Sequence, residues 1–325
     1  MAKGYGTLLV IFAHLGGGDL RTWIYTFHMP LFFFLSGYLF NGKSNFVDFF
    51  KKKFKSLVIP YFALGIPLVL FQMLKYMLIA DFSATVYWQL VKIFLQQRRF
   101  ATLWFIACLF WVNILFYLMV KILKKEWLLG IFSIILPMVG LVYYKSGGKP
   151  LFWNMDVCLM AIPFFFVGYF CKKRSVKLDK LLEKRGLAQG MFIGLALVNL
   201  LCGYLSLDES GVGLEMFDSR YGVVVFTYMS AFAGVACVII FSKWFVITPI
   251  KYIGENSMLY YAWHQTIMMP VVAKALAVVG VDALSSSGKL CNFIYKLIWM
   301  IGIVLITTMC NWMIKKLGLK FMLGK

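Results

Sequence analysis

The sequence predicts an all-α, polytopic integral membrane protein with about ten transmembrane helices. Of its 325 residues, 62% are hydrophobic and 14% are charged, and the mean hydropathy is +0.82. This composition excludes an ordinary soluble domain, in which about half of the residues are apolar and about a quarter are charged. One helical crossing of the hydrocarbon core takes about 20 mostly apolar residues, so the apolar content suffices for about ten crossings.

Apolar runs separated by polar or glycine-rich breaks mark the individual helices. They fall near residues 4–16, 24–41, 57–79, 100–122, 127–144, 153–171, 187–206, 221–242, 257–280 and 293–314. The first run is shorter than a full crossing and ends at a glycine triplet, Gly16-Gly17-Gly18. A lysine followed by such a run is also typical of a signal peptide, but no small-residue cleavage site follows it. We expect instead that the start codon is assigned too far downstream.

Two other segments complete the organisation of the chain. The mixed residues between the third and fourth runs, at 80–99, predict an interfacial helix. The segment 30–40, PLFFFLSGYLF, resembles 163–170, PFFFVGYF, but the spacing from proline to glycine differs, so it is a weak repeat. No Pro- or Ser-rich linker divides the chain, and residues 1–325 are therefore predicted to form one transmembrane domain.

The positive charges are concentrated in clusters beside the apolar runs. The chain carries 33 Lys and Arg against 13 Asp and Glu, a net charge of +20. If the first helix begins in the cytoplasm, 22 of the 33 basic residues fall in cytoplasmic segments, whereas the loop 207–220 carries four acidic residues. The positive-inside rule and anionic lipid explain this pattern better than a nucleic-acid partner does. We therefore expect both termini in the cytoplasm.

The spacing of cysteine and histidine does not favour a metal site. The seven cysteines lie in or beside apolar runs and form no C-x-x-C pair. The three histidines are far apart in the sequence, and their spacing is not that of metal ligands. The sequence therefore predicts neither a disulfide framework nor a bound metal.

His14 is the first candidate for catalysis. It follows Lys3 by eleven residues, which is about 16 Å along a helix and places it well inside the membrane. A neutral imidazole there could take a proton from an attacking hydroxyl, or it could simply bond a neighbouring helix. The spacing H-x4-D to Asp19 resembles that of the glycerolipid acyltransferases, although three glycines break the helix between the two residues. Asp19 is therefore a candidate for orienting the His14 ring.

The other two histidines occupy different settings. His28 lies beside Pro30 at the outer mouth of the second helix, where we expect it to cap or orient rather than react. His264 lies among aromatic residues of the ninth helix and is interpreted as structural. Both stay candidates for contact with a substrate, because polar groups are costly inside a membrane and are therefore often functional.

A cluster of lysines precedes the third helix. It consists of Lys51, Lys52, Lys53 and Lys55. Such a cluster can hold the phosphates of a nucleotide-like cofactor, although lysine acts there as a point charge without the fork of arginine. The same cluster also serves as a plain topology signal, and charge alone favours that interpretation.

Several of these motifs together resemble the integral-membrane acyltransferase 3 family, which includes bacterial sugar and polysaccharide O-acetylases. They occur in order from residue 3 to residue 264, and the run 27–38, FHMPLFFFLSGY, is the most specific. The others are Lys3-x10-His14, Lys52-x-x-Lys55 before Pro60-Tyr61, Leu103-Trp104-Phe105, Pro163-Phe164-Phe165 with Gly168, and Ile253-Gly254-Glu255-Asn256-Ser257 leading to His264.

The resemblance, closest to fucose 4-O-acetylases, implies a ten-helix enzyme that moves an acyl group from cytoplasmic acyl-CoA, usually acetyl-CoA, to a hydroxyl. The acceptor would be a sugar or lipid-linked glycan for surface polysaccharide, and the enzyme would lie in the bacterial cytoplasmic membrane. By position, His14 is then catalytic with Lys3 as its basic partner, and Lys52 and Lys55, with Lys53, meet the CoA phosphates. The family usually has arginines at the Lys52 and Lys55 positions and more chain before Lys3.

Some questions stay open on the sequence alone. Trp104, Asp156 and Glu255 are candidate pocket residues. The hydroxyl could attack the acyl-CoA directly, or a transient acyl-enzyme could form. The main alternative is a transporter or flippase of a lipid-linked glycan or organic anion, which would use the intramembrane charges Asp156, Lys274 and Lys296. A third alternative, a structural membrane protein, would leave the intramembrane histidines without a purpose. Binding of acyl-CoA distinguishes the enzyme from the transporter.

Overall fold

The computed structural model describes residues 1–78 and 83–325. Within these ranges the regular structure is helical, and the one pair of extended residues is an isolated β-bridge between Glu215 and Arg220. The predicted all-α class is therefore confirmed for the described chain. Residues 79–82, which contain the end of the third predicted run and the start of the 80–99 segment, lie outside the described residues.

The described residues form sixteen α-helices, which we number in chain order. They are α1 (Ala2–His14), α2 (Asp19–Tyr25), α3 (His28–Tyr38), α4 (Phe46–Lys53), α5 (Ile59–Leu78), α6 (Ala84–Gln96), α7 (Trp104–Leu123), α8 (Glu126–Lys145), α9 (Met155–Lys173), α10 (Ser175–Glu183), α11 (Arg185–Leu205), α12 (Val224–Trp244), α13 (Thr248–Glu255), α14 (Ser257–Trp263), α15 (Met269–Val278) and α16 (Lys289–Lys316). Two π-helical turns, Phe54–Val58 and His264–Met268, join α4 to α5 and α14 to α15.

Seven helical segments of the described chain are long and apolar enough to cross a membrane. They are Phe46–Leu78, Ala84–Leu123, Glu126–Lys145, Phe152–Lys173, Arg185–Leu205, Val224–Trp244 and Lys289–Lys316. The other three predicted runs form helices that are short, α1 and α3, or interrupted, α14 with α15. The polytopic membrane architecture is confirmed, and the count of about ten crossings stays a prediction.

Helix α1 is short, and other helices surround it. Its first turn lies directly against α13, since a Cβ atom on Gly4 would be 2.0 Å from the carbonyl oxygen of Ile250. The helix also contacts α3, α12, α14 and α16. The helix with Lys3 at one end and His14 at the other is therefore part of the packed bundle.

The two similar segments 30–40 and 163–170 pack against each other. A Cβ atom on Gly37 would be 1.9 Å from the carbonyl oxygen of Phe165, and one on Gly168 would be 2.0 Å from that of Phe34. Helices α3 and α9 can approach this closely only because both positions lack a side chain. The weak repeat seen in the sequence is thus a pair of packing partners.

Helix α6 lies in the segment that was predicted to form an interfacial helix. It packs lengthwise on α5: the Tyr87 hydroxyl donates to the Met73 carbonyl at 3.2 Å, and the Tyr61 hydroxyl donates to the Phe94 carbonyl at 2.9 Å. The Phe94 ring also lies against Gly65 and stacks on Tyr61. The apolar face of α6 is therefore covered partly by protein, which the polar residues of this segment did not reveal.

The ninth predicted helix is interrupted by the π-turn His264–Met268. Pro270 lies at the start of α15 and has no amide hydrogen with which to continue the regular helical pattern. π-Turns inside helices often occur at functional sites. Here the turn places the His264 ring against His14 at the end of α1.

Candidate functional site

The three histidines, distant in sequence, meet at one end of α1. The ring centroids of His14 and His264 are 4.9 Å apart. Tyr25 lies between His14 and His28, with its ring centroid 5.8 Å from that of His14 and 4.6 Å from that of His28. His28 and His264 are buried, and His14 is partly exposed. The structure thus brings together all three histidines singled out in the sequence, including the two expected to play minor roles.

The hydrogen bonds of His14 determine which ring nitrogen is available as a base. Its Nδ1 lies 2.8 Å from the carbonyl oxygen of Val10, one helical turn back. Because a carbonyl can only accept, Nδ1 carries the proton and Nε2 carries the lone pair. Nε2 lies 3.3 Å from the hydroxyl oxygen of Tyr25. The neutral His14 ring therefore presents its basic nitrogen to a hydroxyl group.

The same pattern recurs in the other two histidines. Nδ1 of His28 lies 3.1 Å from the carbonyl oxygen of Ile24, and Nδ1 of His264 lies 2.9 Å from that of Tyr261. In both, Nε2 is again left as the acceptor. Nε2 of His264 is buried without a hydrogen-bond partner among the described residues. A backbone carbonyl three or four residues earlier in the chain therefore sets the tautomer of each histidine.

A cavity of about 490 Å³ opens beside these rings, and we call it the histidine cavity. Its polar wall consists of His14, Arg21, Tyr25, His28, Gln72, Lys75, Thr102, Trp104, Glu215, Asp218, Tyr261, Gln265 and Thr266. The Arg21 guanidinium lies 4.7 Å above the centre of the Tyr25 ring. The cavity combines hydroxyl and amide groups with both signs of charge, which suits a polar ligand.

Glu215 lies in the loop 206–223 and lines the histidine cavity. Burial raises the pKa of its carboxyl group from 4.5 to about 7, and repulsion by Asp218 adds to this, while Arg21 opposes it. Glu215 therefore changes its charge near neutral pH.

We expect the stability of the protein to fall as the pH rises from about 4.5 to about 7, because Glu215 must lose a proton that the folded state holds more tightly than the unfolded state. Melting temperatures, followed by tryptophan fluorescence across this range, should decline less steeply in Glu215→Gln. Glu209→Gln, in the same loop but exposed, is the matched control and should keep the wild-type slope. An unchanged slope in Glu215→Gln would contradict this assignment.

A second cavity, of about 330 Å³, lies at the opposite end of α1. Lys3, Lys53 and Lys325 line it, and we call it the lysine cavity. Nζ of Lys325 donates to Oδ1 of Asn256 at 3.0 Å, and Nζ of Lys315 donates to the same oxygen at 2.7 Å. Several ammonium groups are thus concentrated around one opening, which favours an anionic ligand.

Of the three lysines predicted to meet the CoA phosphates, Lys53 lines this cavity. Lys52 and Lys55 are exposed, whereas Lys53, between them, is partly buried and lies in the cavity wall. Neighbouring helical positions point about 100° apart, so only one of three closely spaced lysines faces inward. Lys53 is therefore the one of these three lysines whose side chain lines the cavity.

Tyr261 belongs to the walls of both cavities. Its side chain is 7% exposed, and its ring packs on Phe105 at 5.3 Å between centroids. No residue of the described ranges makes a hydrogen bond with its hydroxyl group. Lys3 and His14 mark the two cavities along α1, about 16 Å apart by the helical rise. Tyr261 is thus a wall residue common to the lysine cavity and the histidine cavity.

The remaining predicted residues fall in different places. Trp104 lines the histidine cavity, and Glu255 lines the lysine cavity. Asp19 lines a third cavity, while the contacts to the His14 ring nitrogens come from Val10 and Tyr25. The triglycine turn separates Asp19 from His14, so the carboxylate is not among the described partners of the ring.

Asp156, a candidate pocket residue, lines none of these three cavities and belongs instead to a buried polar network. It forms an ion pair with Arg99, and the Ser219 hydroxyl donates to it at 3.2 Å. Both charged side chains are largely buried, and a buried carboxylate must be paired in this way to be tolerated. Asn154 accepts from the Arg99 amide at 2.9 Å. This network joins the segment before α7 to the start of α9 and has a structural role.

Sequence reasoning missed Arg21, Tyr25, Glu215 and Tyr261. A signal existed for Tyr261, because it lies three residues before His264 and therefore on the same helical face. Tyr25 and Glu215 had no such signal, since a turn separates Tyr25 from His14 and Glu215 joins the cavity from a long loop. Among the described residues, no group of three His, Cys, Asp or Glu side chains is arranged to hold a metal ion.

Comparison with known proteins gives one match. The model of a family described as an acyltransferase domain, the acyltransferase 3 family, matches residues 1–316. No curated protein and no solved structure matches the chain. The family match covers nearly the whole chain and includes α1 and the three histidines, whereas Lys325 of the lysine cavity lies beyond it.

Proposed function

The chain belongs to the acyltransferase 3 family, and on that premise we propose that this membrane acyltransferase moves an acetyl group from acetyl-CoA to a sugar hydroxyl. The lysine cavity would hold the donor, and the histidine cavity would hold the acceptor. The observation that carries the proposal is that the two cavities share one wall residue, Tyr261, and that one of them contains His14, whose Nε2 is an acceptor facing the Tyr25 hydroxyl. The two substrates could therefore meet at that boundary.

The charge of the lysine cavity supports an acyl-CoA donor. Coenzyme A carries several phosphate charges at one end and an uncharged thioester at the other. Lys3, Lys53 and Lys325 line the opening, and each can meet a phosphate oxygen as a point charge. The deeper wall contains apolar residues such as Leu109 and Phe105, which suit the uncharged arm that ends in the thioester.

In the proposed reaction, Nε2 of His14 takes the proton from the acceptor hydroxyl as its oxygen attacks the thioester carbonyl. The carbon–oxygen bond forms, the carbon–sulfur bond breaks, and the proton passes to the CoA thiolate. Direct attack is favoured over an acyl-enzyme because adjoining cavities allow both substrates to be bound at once. The Tyr25 hydroxyl, 3.3 Å from Nε2, marks the position from which a hydroxyl can reach the base.

The positions of the cavities agree with the proposed location in a bacterial cytoplasmic membrane. If both termini are cytoplasmic, as the charge distribution predicts, the lysine cavity faces the cytoplasm, where acyl-CoA occurs. The histidine cavity then faces the other side, where a lipid-linked glycan or a surface polysaccharide is available. The chain itself would therefore carry the acyl group across, without a separate carrier.

The proposal is tested by calorimetric titration of the purified protein with acetyl-CoA, with CoA and acetate as controls. We expect binding of acetyl-CoA and CoA, and no binding of acetate, because the phosphates supply the charge that the lysine cavity meets. Absence of binding in folded protein would overturn the enzyme proposal and favour the transporter or flippase alternative. Transfer of labelled acetyl to a glycan acceptor in membranes is the second measurement.

Replacing Lys53 with alanine should weaken acetyl-CoA binding about tenfold, or about 1.4 kcal/mol, because Lys53 lines the donor cavity. The matched control is Lys52→Ala, which removes an exposed lysine one position earlier and should change the affinity by less than about twofold. Calorimetry on both variants measures the difference. A larger loss in Lys52→Ala than in Lys53→Ala would instead favour the lysine pair implied by the resemblance.

A further inference from the structure

A third cavity, of about 700 Å³, lies between the triglycine turn and the start of α16, and we call it the glycine-turn cavity. Three cationic residues line it, Arg21, Lys289 and Lys296, against one carboxylate, that of Asp19. The proposed reaction uses none of the lysines in this cavity. Its wall is therefore a net positive surface whose ligand has not yet been assigned.

Lys296 is the central residue of this cavity. It lies seven residues into α16, about 10 Å from the start of the helix. The ammonium group rests against the triglycine turn, since a Cβ atom on Gly16 would be 2.6 Å from Nζ. Among the described residues it has neither an ion pair nor a hydrogen bond. An intramembrane cation without a partner is costly and indicates a functional group.

The glycine at position 16 makes this arrangement possible. Any side chain there would occupy the space that the Lys296 ammonium now fills, and Gly17 adds no side chain in front of it. The cation therefore faces the open volume of the cavity. A phosphate group that entered would meet Nζ directly, and Lys289 lies in the same wall.

Arg21 connects this cavity to the proposed acceptor site. It lines both the glycine-turn cavity and the histidine cavity, and its guanidinium stacks on Tyr25, which contacts His14. A ligand could therefore place an anionic group beside Lys296 and extend past Arg21, so that an uncharged sugar attached to that anionic group reaches the His14 base.

We propose that the glycine-turn cavity binds a phosphate ester of the acceptor, with Lys296 as the principal contact and Arg21 and Lys289 as further cations. The acceptor class is then a sugar linked through phosphate or diphosphate to a lipid, and not a free neutral sugar. This inference rests on the proposed function for the sugar, but the phosphate site itself can be tested without acyl transfer.

The first test is binding of farnesyl diphosphate and of inorganic pyrophosphate to the purified full-length protein, measured by calorimetry with excess CoA, whose phosphates occupy the lysine cavity. Lys296→Gln should weaken both at least tenfold. The matched control, Lys274→Gln, removes an exposed lysine of α15 that lines none of the three cavities and should bind as wild type does. Equal affinity in Lys296→Gln and wild type would overturn the proposal. Unchanged acetyl-CoA binding by Lys296→Gln shows that this variant is folded.

The second test separates an acceptor phosphate from a lipid headgroup. In nanodiscs of phosphatidylcholine with and without phosphatidylglycerol, farnesyl diphosphate should bind with the same affinity. Loss of that binding when phosphatidylglycerol is present would assign the cavity to a bilayer headgroup and overturn the acceptor assignment.

The third test uses transfer to two acceptors with the same sugar, one on a polyprenyl diphosphate and one on a neutral octyl chain. Lys296→Gln should raise KM at least tenfold for the first acceptor only and leave kcat unchanged. An equal change with both acceptors would overturn the phosphate contact. Failure of the acyltransferase proposal would look different from failure of the phosphate site. In that case acetyl-CoA would not bind and neither acceptor would be acylated, but the protein would still bind farnesyl diphosphate.

Discussion

His14→Ala is expected to abolish acetyl transfer while leaving acetyl-CoA binding unchanged. General-base catalysis by a positioned histidine contributes about a hundredfold to ten-thousandfold to a rate. Among the described residues of the proposed acceptor site, the variant also loses the histidine ring whose Nε2 lies 3.3 Å from a hydroxyl oxygen. The donor binds at the other end of α1, in the lysine cavity, so its affinity should not depend on this side chain.

The measurement is single-turnover transfer of labelled acetyl, with calorimetric titration of acetyl-CoA on the same preparation. Tyr25→Phe is the matched control, because it removes the hydroxyl that contacts His14 but keeps the ring between His14 and His28. We expect it to slow transfer far less than His14→Ala does. Full activity in His14→Ala would refute the proposed base, and loss of acetyl-CoA binding would indicate a structural role instead.

Gly37→Val is expected to prevent correct assembly of the bundle. The Cβ atom of the new valine would be 1.9 Å from the carbonyl oxygen of Phe165. Neither atom can move away alone, because the backbone of α3 determines the position of the Cβ atom and the oxygen belongs to the backbone of α9. Overpacking of this kind costs about 3 kcal/mol or more. The protein should therefore be obtained in low yield or melt well below wild type, as measured by size-exclusion chromatography and tryptophan fluorescence.

A glycine elsewhere in the membrane region supplies the control for this prediction. A Cβ atom on Gly190, in α11, would meet nothing within 4 Å, so Gly190→Val should melt close to wild type. Gly168→Val lies on the other side of the same crossing and should reproduce the Gly37→Val defect. Wild-type melting of Gly37→Val would show that α3 and α9 do not approach this closely.

Much of the fold was readable from the sequence because the membrane imposes simple requirements. Apolar runs must form helices there, since every backbone hydrogen bond must be made internally. The class and the helical runs from 57 to 314 follow from this rule. The rule says nothing about partners, so the packing of α3 on α9 and of α6 on α5 was not predicted.

The family and His14 were also readable, because the resemblance rests on residue types at short spacings. The roles of the lysines were not, because Lys52, Lys53 and Lys55 differ only in the direction in which each side chain points. That direction depends on the rotation of α4 and of the π-turn that follows it. The surroundings of Asp156 were not readable from the sequence either, because its ion-pair partner Arg99 lies 57 residues away in the chain.

By itself, then, the sequence determined that this chain is a helical membrane protein of the acyltransferase 3 family with a histidine near the end of its first helix. Only the tertiary structure decided that His28, His264, Tyr25 and Tyr261 join His14, and which lysines line a cavity. The physical reason is that composition and local spacing govern where a helix forms, while the packing and rotation of helices against one another govern which side chains meet.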